Sequence, residues 1–240
     1  MAGHGLQARG IARRSKMLKA ATFLFLDQGY EKTTTTQIAT AAGMSQASFF
    51  AAFESKEAIL LELTKIMFSS QFIAAEAMMP SDNPLLLYAL ETSLQLHITE
   101  LSEPLRELYV TTYSLSSTSK FVYQSTVKKL MTIFGSYLPD AKENDFYELE
   151  IASAGVTRGF MARPCDMYFT MERKLRSYLG CCFRIYKVPE EVYAPIIEVV
   201  LRRDLKSDAE RIIAATVQRA ESGFEQMTTS DLNWNATGNI

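Results

Sequence analysis

The sequence predicts an all-α fold, and three observations carry that prediction. Apolar residues recur at spacings of three and four along nearly the whole chain, capping residues stand before the periodic stretches, and no run alternates with period two. Composition permits a packed core: of 240 residues, 48% are hydrophobic and 22% charged, which excludes a disordered chain and a bulk polycation.

From Ile11 to Gln28 the residues Met17, Leu18, Ala21, Leu24 and Phe25 mark one helix face, and Gly29 supplies a stop. Thr34, with Gln37 three residues on, forms a capping box that predicts a short helix over 35–42. Gly43 breaks it, and Ser45 is a fresh N-cap for a second short helix to about Ala52. A longer helix follows from about Ser55, with Ile59, Leu63, Ile66, Ser70, Ile73 and Ala77 on one face, and ends before Pro80. Leu87, Leu90, Leu94, His97 and Leu101 form the next stripe, closed by Pro104. Further helices read over 105–115, 121–138, 145–161, 167–187, 190–206 and 208–223, and the tail 224–240 is polar and predicted to fray. This divides the chain into a small module, 1–57, and a helical body, 58–223.

Charge supports the division. The first 60 residues carry a net +3 and the remainder −5, and the first 26 hold five positive charges with no acidic residue among them. A basic head on an acidic body suggests a module that faces a polyanion.

Residues 29–57 carry the chemistry. A helix followed by two short helices around a Gly turn is the arrangement of a helix-turn-helix reader, whose second helix enters the major groove of duplex DNA. Thr34, Thr35, Thr36 and Ser45, at or near the helix starts, can donate to phosphate oxygens. Gln46 and Ser48 on the first turn of the second helix can bond base edges, and the small Ala47 permits close approach or a thymine-methyl contact. Phe49 and Phe53 are expected to pack inward against Leu24 and Ile38, while Lys56 and the basic arm with Arg13 and Arg14 are expected to meet backbone phosphate.

The segment resembles the DNA-binding domain of the tetracycline-repressor (TetR) family of transcriptional regulators. Gly29-Tyr30, Thr33-Thr34, Ile38-Ala39, Ala42-Gly43-Met44-Ser45, Phe53 and Ser55-Lys56-Glu57 stand where the family pattern has them. Two positions depart from it: Phe50, on the DNA-facing side, replaces a usual Tyr, and Ala52 replaces a frequent His or Tyr. Both usual residues donate to phosphate. The resemblance implies an all-helical second domain that dimerises and encloses a small-molecule effector, and hence a repressor released from operator DNA by that effector.

For the dimer, helix 145–161 offers the small residues Ala152, Ser153, Ala154, Gly155 and Gly159, and helix 167–187 offers a long apolar stripe. For an effector pocket the candidates are Tyr109, Tyr113, Tyr123, Met131, Phe134 and Phe160, with His97 and Arg158 as polar members. Two other readings stay open: a helical DNA-binding protein without an effector, and a module that no longer binds DNA. An enzyme is disfavoured, because the two His are far apart and there is no Gly-rich phosphate loop, metal-ligand spacing or nucleophile elbow. No cofactor and no metal are therefore expected. Three Cys, two of them the adjacent Cys181 and Cys182, suit a reducing compartment and leave a redox role open. Neither a secretory signal nor a membrane span is read, so the expected location is cytoplasmic.

Overall fold

The structure, a computed structural model, describes residues 2–78 and 83–222, with side chains placed for 9–68 and 83–222. The tail expected to fray lies outside those limits, as do the side chains of Ser70, Ile73 and Ala77 in the fourth helix's stripe. The described residues form eleven α-helices, no strand, and one 3-10 turn, Gly135–Tyr137.

The head is built from α1 (Ala2–Gln28), α2 (Thr35–Ala41), α3 (Gln46–Phe50) and the start of α4 (Lys56–Met78). Helix α1 runs well N-terminal of the periodic stretch, so the basic arm is helical. It closes at Gly29, whose φ of +88° is a left-handed conformation that other residues resist. Gly43, at φ +70°, turns the chain between α2 and α3 in the same way. Phe25, Ile38, Phe49, Phe53, Ile59 and Leu60 fill the core between these helices.

The body comprises α5 (Pro84–Leu101), α6 (Glu103–Thr112), α7 (Ser116–Phe134), α8 (Glu143–Ala162), α9 (Met171–Ile185), α10 (Glu190–Leu201) and α11 (Leu205–Ser222). Helix α5 is its axis: buried residues occur all round it, and α4 and α6 through α11 pack against it. Two boundaries differ from the sequence reading for local reasons. The Asp166 carboxylate accepts the amides of Tyr168 and Phe169, each at 2.8 Å, which holds 166–169 in a turn and delays α9 until Thr170 caps it. Likewise Asp204 accepts the Ser207 amide at 3.2 Å, ending α10 at Leu201 and opening α11 at Leu205.

Head and body share side chains. Helix α4 gives Ile59, Leu60, Leu63 and Ile66 to the head core and Phe68 to the body core. Leu108 of α6 and Ala220 of α11 are buried in the head core. The Glu107 carboxylate accepts the Glu31 amide at 2.6 Å, Ser117 donates to Glu57, and Lys19 donates to the Glu221 carbonyl at 2.8 Å. An apolar cleft of about 910 Å3, counting its open mouth, lies along this seam between Phe25, Leu63, Met67, Leu105, Tyr109 and Ile213.

Candidate functional site

The exposed surface of the head follows from how its two short helices are capped and anchored. Thr34 Oγ1 accepts the Gln37 amide at 3.2 Å and Gln37 Oε1 accepts the Thr34 amide at 2.8 Å, completing the capping box that starts α2. Ser45 Oγ accepts the Ser48 amide at 3.3 Å and starts α3. Phe49 is fully buried against Phe53, with ring centroids 6.2 Å apart, so α3 is bolted down along one side. Gln46, Ala47 and Phe50 consequently project to solvent on the other, with Phe50 54% exposed, and Thr34 and Thr36 are exposed at the start of α2. Thr35 and Arg13 are half-buried.

Three of the expected DNA contacts have internal work instead. Lys56 turns inward: its Nζ donates to the carbonyls of Tyr30 at 2.7 Å and Thr33 at 2.9 Å and lies 4.0 Å from the Tyr30 ring. Burial lowers its pKa, and the helix-turn loop rather than a phosphate receives its charge. Arg14 likewise donates to the Ala52 carbonyl at the end of α3, pairs with Glu62 and stacks 4.1 Å over Phe53. Its guanidinium ties α1, α3 and α4 together. The hydroxyl of Ser48 is shared with that of Ser45 at 3.1 Å, which ties it to the cap.

The body holds a second place of concentrated polarity, a cavity of about 510 Å3, counting its open mouth, reached by α4 through α9. Glu91 on α5 accepts from Lys129 of α7 at 3.1 Å. Glu150 on α8 accepts from Ser153 at 2.7 Å, Thr126 at 3.1 Å and Tyr186 at 3.2 Å. Tyr113 donates to Gln95 Oε1 at 3.0 Å, and Tyr178 shares a bond with Thr157 at 3.1 Å. Burial pushes the carboxyl of Glu91 up to about 7 against the pull of Lys129, and that of Glu150 up to about 7 against its hydroxyl partners.

Of the residues proposed from composition, Tyr113 lines this cavity and the rest do not. Tyr109 faces the apolar seam cleft instead. Phe134 is fully buried in a stack on Tyr186, centroids 4.1 Å apart, and serves the core. Tyr123, Met131 and Phe160 are partly buried packing residues on the core's margin. His97 sits by Glu100, Asp204 and Lys174, where burial holds its pKa down at about 4. Arg158 is exposed on α8 and lines neither the seam cleft nor the body cavity. The residues that composition missed are Glu91, Gln95, Lys129, Glu150 and Tyr178. Glu91 and Glu150 are both buried. Cys182 is fully buried and burial pushes its thiol up to about 12, which removes it from thiolate chemistry near neutral pH. Among the described residues no cluster of His, Cys, Asp or Glu could hold a metal ion, and no helix is long and apolar enough to cross a membrane.

A capped helix-turn-helix head on an all-helical body is the architecture in which a short second helix reads duplex DNA. Residues 17–63 match the family model described as bacterial regulatory proteins, tetR family. Over 84 residues the chain is 38% identical to the HTH-type transcriptional regulator TcmR of Streptomyces glaucescens, covering 35% of this chain and 37% of that one. Over 58 residues it is 38% identical to the uncharacterized HTH-type transcriptional regulator YdgC of Bacillus subtilis (strain 168), covering 24% of this chain and 30% of the relative. These matches thus span about a third of the curated relatives' length. Beyond the head the likeness is one of fold. RolR, solved in complex with resorcinol, superposes with a TM-score of 0.62 at 14% identity over 81% of this chain and 96% of its own. SmeT, the repressor of the Stenotrophomonas maltophilia multidrug efflux pump SmeDEF, superposes with a TM-score of 0.50 at 16% identity, covering 71% of this chain and 88% of SmeT. The head is thus similar to the DNA-binding segment of the tetR family of bacterial regulatory proteins.

Proposed function

We propose that this regulator binds operator DNA as a homodimer, with α3 of each copy in the major groove, and is released by a small-molecule effector held in the body cavity. The observation that carries the DNA contact is the two-sided character of α3: Phe49 is sealed in the head core while Gln46, Ala47 and Phe50 are left to solvent. A reading helix needs both a fixed angle and a free face, and a pair of heads must sit roughly 34 to 36 Å apart to meet successive major grooves. Thr34, Thr35, Thr36 and Ser45 then lie beside the backbone, with Arg13 and the rest of the α1 arm adding positive charge.

For the dimer, α8 presents Ile151, 44% exposed, with exposed Ala152, Gly155 and Gly159, and α10 presents Val199, 41% exposed. The stripe of α9 is spent within one chain, where Leu175, Tyr178 and Cys182 are buried. The contact between copies therefore centres on α8 with α10 beside it. The effector site is the body cavity because polar groups from several helices converge in it at depth, as small-molecule sites require. RolR, which shares this fold, was solved with an aromatic ligand. Coupling to the head follows from the shared elements α4 and α6, the latter carrying Glu107 and Leu108.

Selection of binding sites from a random duplex pool tests the reading directly. A palindrome with half-sites one helical turn apart is expected, and Gln46→Ala is expected to relax its sequence and weaken each half-site by roughly 1 to 3 kcal/mol. Recovery of no enriched sequence at low salt, or an unchanged preference in Gln46→Ala, refutes the placement of α3.

A further inference from the structure

The body cavity contains an electrostatic demand that its own side chains leave open. Glu91 from α5, Glu150 from α8 and Lys129 from α7 all line it, so two carboxylates face a single ammonium. Lys129 binds Glu91 through Oε2 at 3.1 Å, and Glu91 is only 6% exposed. The remaining wall supplies the rings of Phe68, Tyr88, Tyr113 and Tyr178 and neutral polar groups such as Gln95 and Thr157, without a further cation.

We propose that the effector is a small organic amine in its ammonium form on an aromatic or compact apolar frame, seated with its charge toward Glu91 and Glu150. The assignment rests on this cavity being the effector site. Three features select that chemistry over a neutral or anionic ligand. A buried carboxylate is satisfied most strongly by charged N–H donors, and Lys129 supplies only one of them for two carboxylates. A second positive charge balances the second carboxylate, which protein alone leaves to be neutralised by a proton. The rings of Tyr88, Tyr113 and Tyr178 offer faces on which a cation and an aromatic frame both rest favourably.

Burial holds both carboxyls at about 7, which gives the proposal a proton signature. Seating an ammonium group requires the ionised forms, so protons leave on binding near neutral pH, and affinity falls as pH drops from 8 to 6. The titratable groups facing the two carboxyls are Lys129 on α7, Tyr88 on α5, Tyr113 on α6, and Tyr178 and Cys182 on α9, with Tyr186 just beyond α9. Burial raises Tyr88, Tyr113, Tyr178, Tyr186 and Cys182, so these stay protonated across that range.

The test is calorimetric titration of the full chain with two matched pairs: phenethylamine against 2-phenylethanol, and tyramine against its alcohol analogue 4-(2-hydroxyethyl)phenol. The amines are expected to bind at least about tenfold more tightly than their partners at pH 8, and to lose about tenfold for each carboxyl that must ionise, hence about a hundredfold for the pair, by pH 6. Glu91→Gln is expected to erase the preference. Lys129→Met, which removes the ammonium paired with Glu91, is expected to enlarge it and provides a second variant should Glu91→Gln fold poorly. Alcohols binding as tightly as amines overturn the proposal, as does a preference that survives both Glu91→Gln and Glu150→Gln, or the failure of both amines to bind at millimolar concentration. Release of the selected operator separates the two layers. Alcohols that release it overturn the charge assignment and leave the cavity as the effector site, whereas amines that bind it with the predicted pattern without releasing DNA uphold the ligand class and remove the cavity's regulatory role.

Discussion

Replacing Lys56 by methionine separates a structural lysine from a phosphate contact, and the two roles give opposite results in two assays. Its Nζ holds the carbonyls of Tyr30 and Thr33 at 2.7 and 2.9 Å and rests 4.0 Å from the Tyr30 ring. Each charge-assisted bond in this partly exposed position is worth about 1 kcal/mol after screening, and the ring contact about 0.5 kcal/mol. Lys56→Met therefore lowers stability by about 2 to 3 kcal/mol, read as a fall in the urea midpoint followed by circular dichroism. Removal of a phosphate contact would act elsewhere. The logarithm of affinity against the logarithm of salt concentration changes slope by about 0.9 per phosphate lost, hence about 1.8 for a dimer that loses two. Titration of the selected operator at several salt concentrations, well below the unfolding temperature, is expected to return the parental slope. A slope shallower by about 1.8 with an unchanged urea midpoint refutes the internal role.

Three further outcomes follow from the geometry. A Cβ at Gly29 would meet Glu107 Oε2 at 2.6 Å, and the residue's φ is +88°. Gly29→Ala should thus lose about 1 to 2 kcal/mol for the left-handed backbone and more for displacing Glu107. In a Glu107→Ala background only the backbone part should remain, and equal losses in both backgrounds refute the contact. Raised carboxyl pKa values make the folded chain bind more protons than the unfolded one between the ordinary 4.5 and about 7. Stability from Glu91 and Glu150 accordingly declines as pH rises through that window. His97, held down at about 4 against an ordinary 6.5, loses stability in the opposite direction, as pH falls. Comparing the parent with Glu91→Gln/Glu150→Gln cancels His97: the double variant should gain on the parent in melting temperature from pH 5 to 8, and a constant gap refutes the buried pair. Finally, a Cβ at Gly155 meets nothing within 4 Å in one chain. Gly155→Arg should leave the melting of the monomeric unit intact while light scattering reports loss of the dimer, and a persistent dimer excludes the α8 contact.

Secondary structure and the head were legible in the sequence because their causes are local. Caps at Thr34 and Ser45, the left-handed Gly29 and Gly43, and three-four apolar spacing each act within one or two turns of helix, so eleven helices could be read one at a time. Which face of α3 is exposed was also local, since Phe49 and Gln46 fall on opposite sides of a single short helix. Side-chain partnerships were not legible. Lys56 and Arg14 look like free cations in a basic segment, and only folding brings Tyr30, Thr33, Ala52 and Glu62 within their reach. The cavity escaped for a related reason. Glu91 and Glu150 occupy helical positions that solvent takes in an isolated amphipathic helix, but α5 is surrounded on every side, and α7 and α8 close over what would have been its polar face. Burial is a property of the assembled helices, and so are the raised carboxyl pKa values and the unmet charge that turn this core into a candidate binding site.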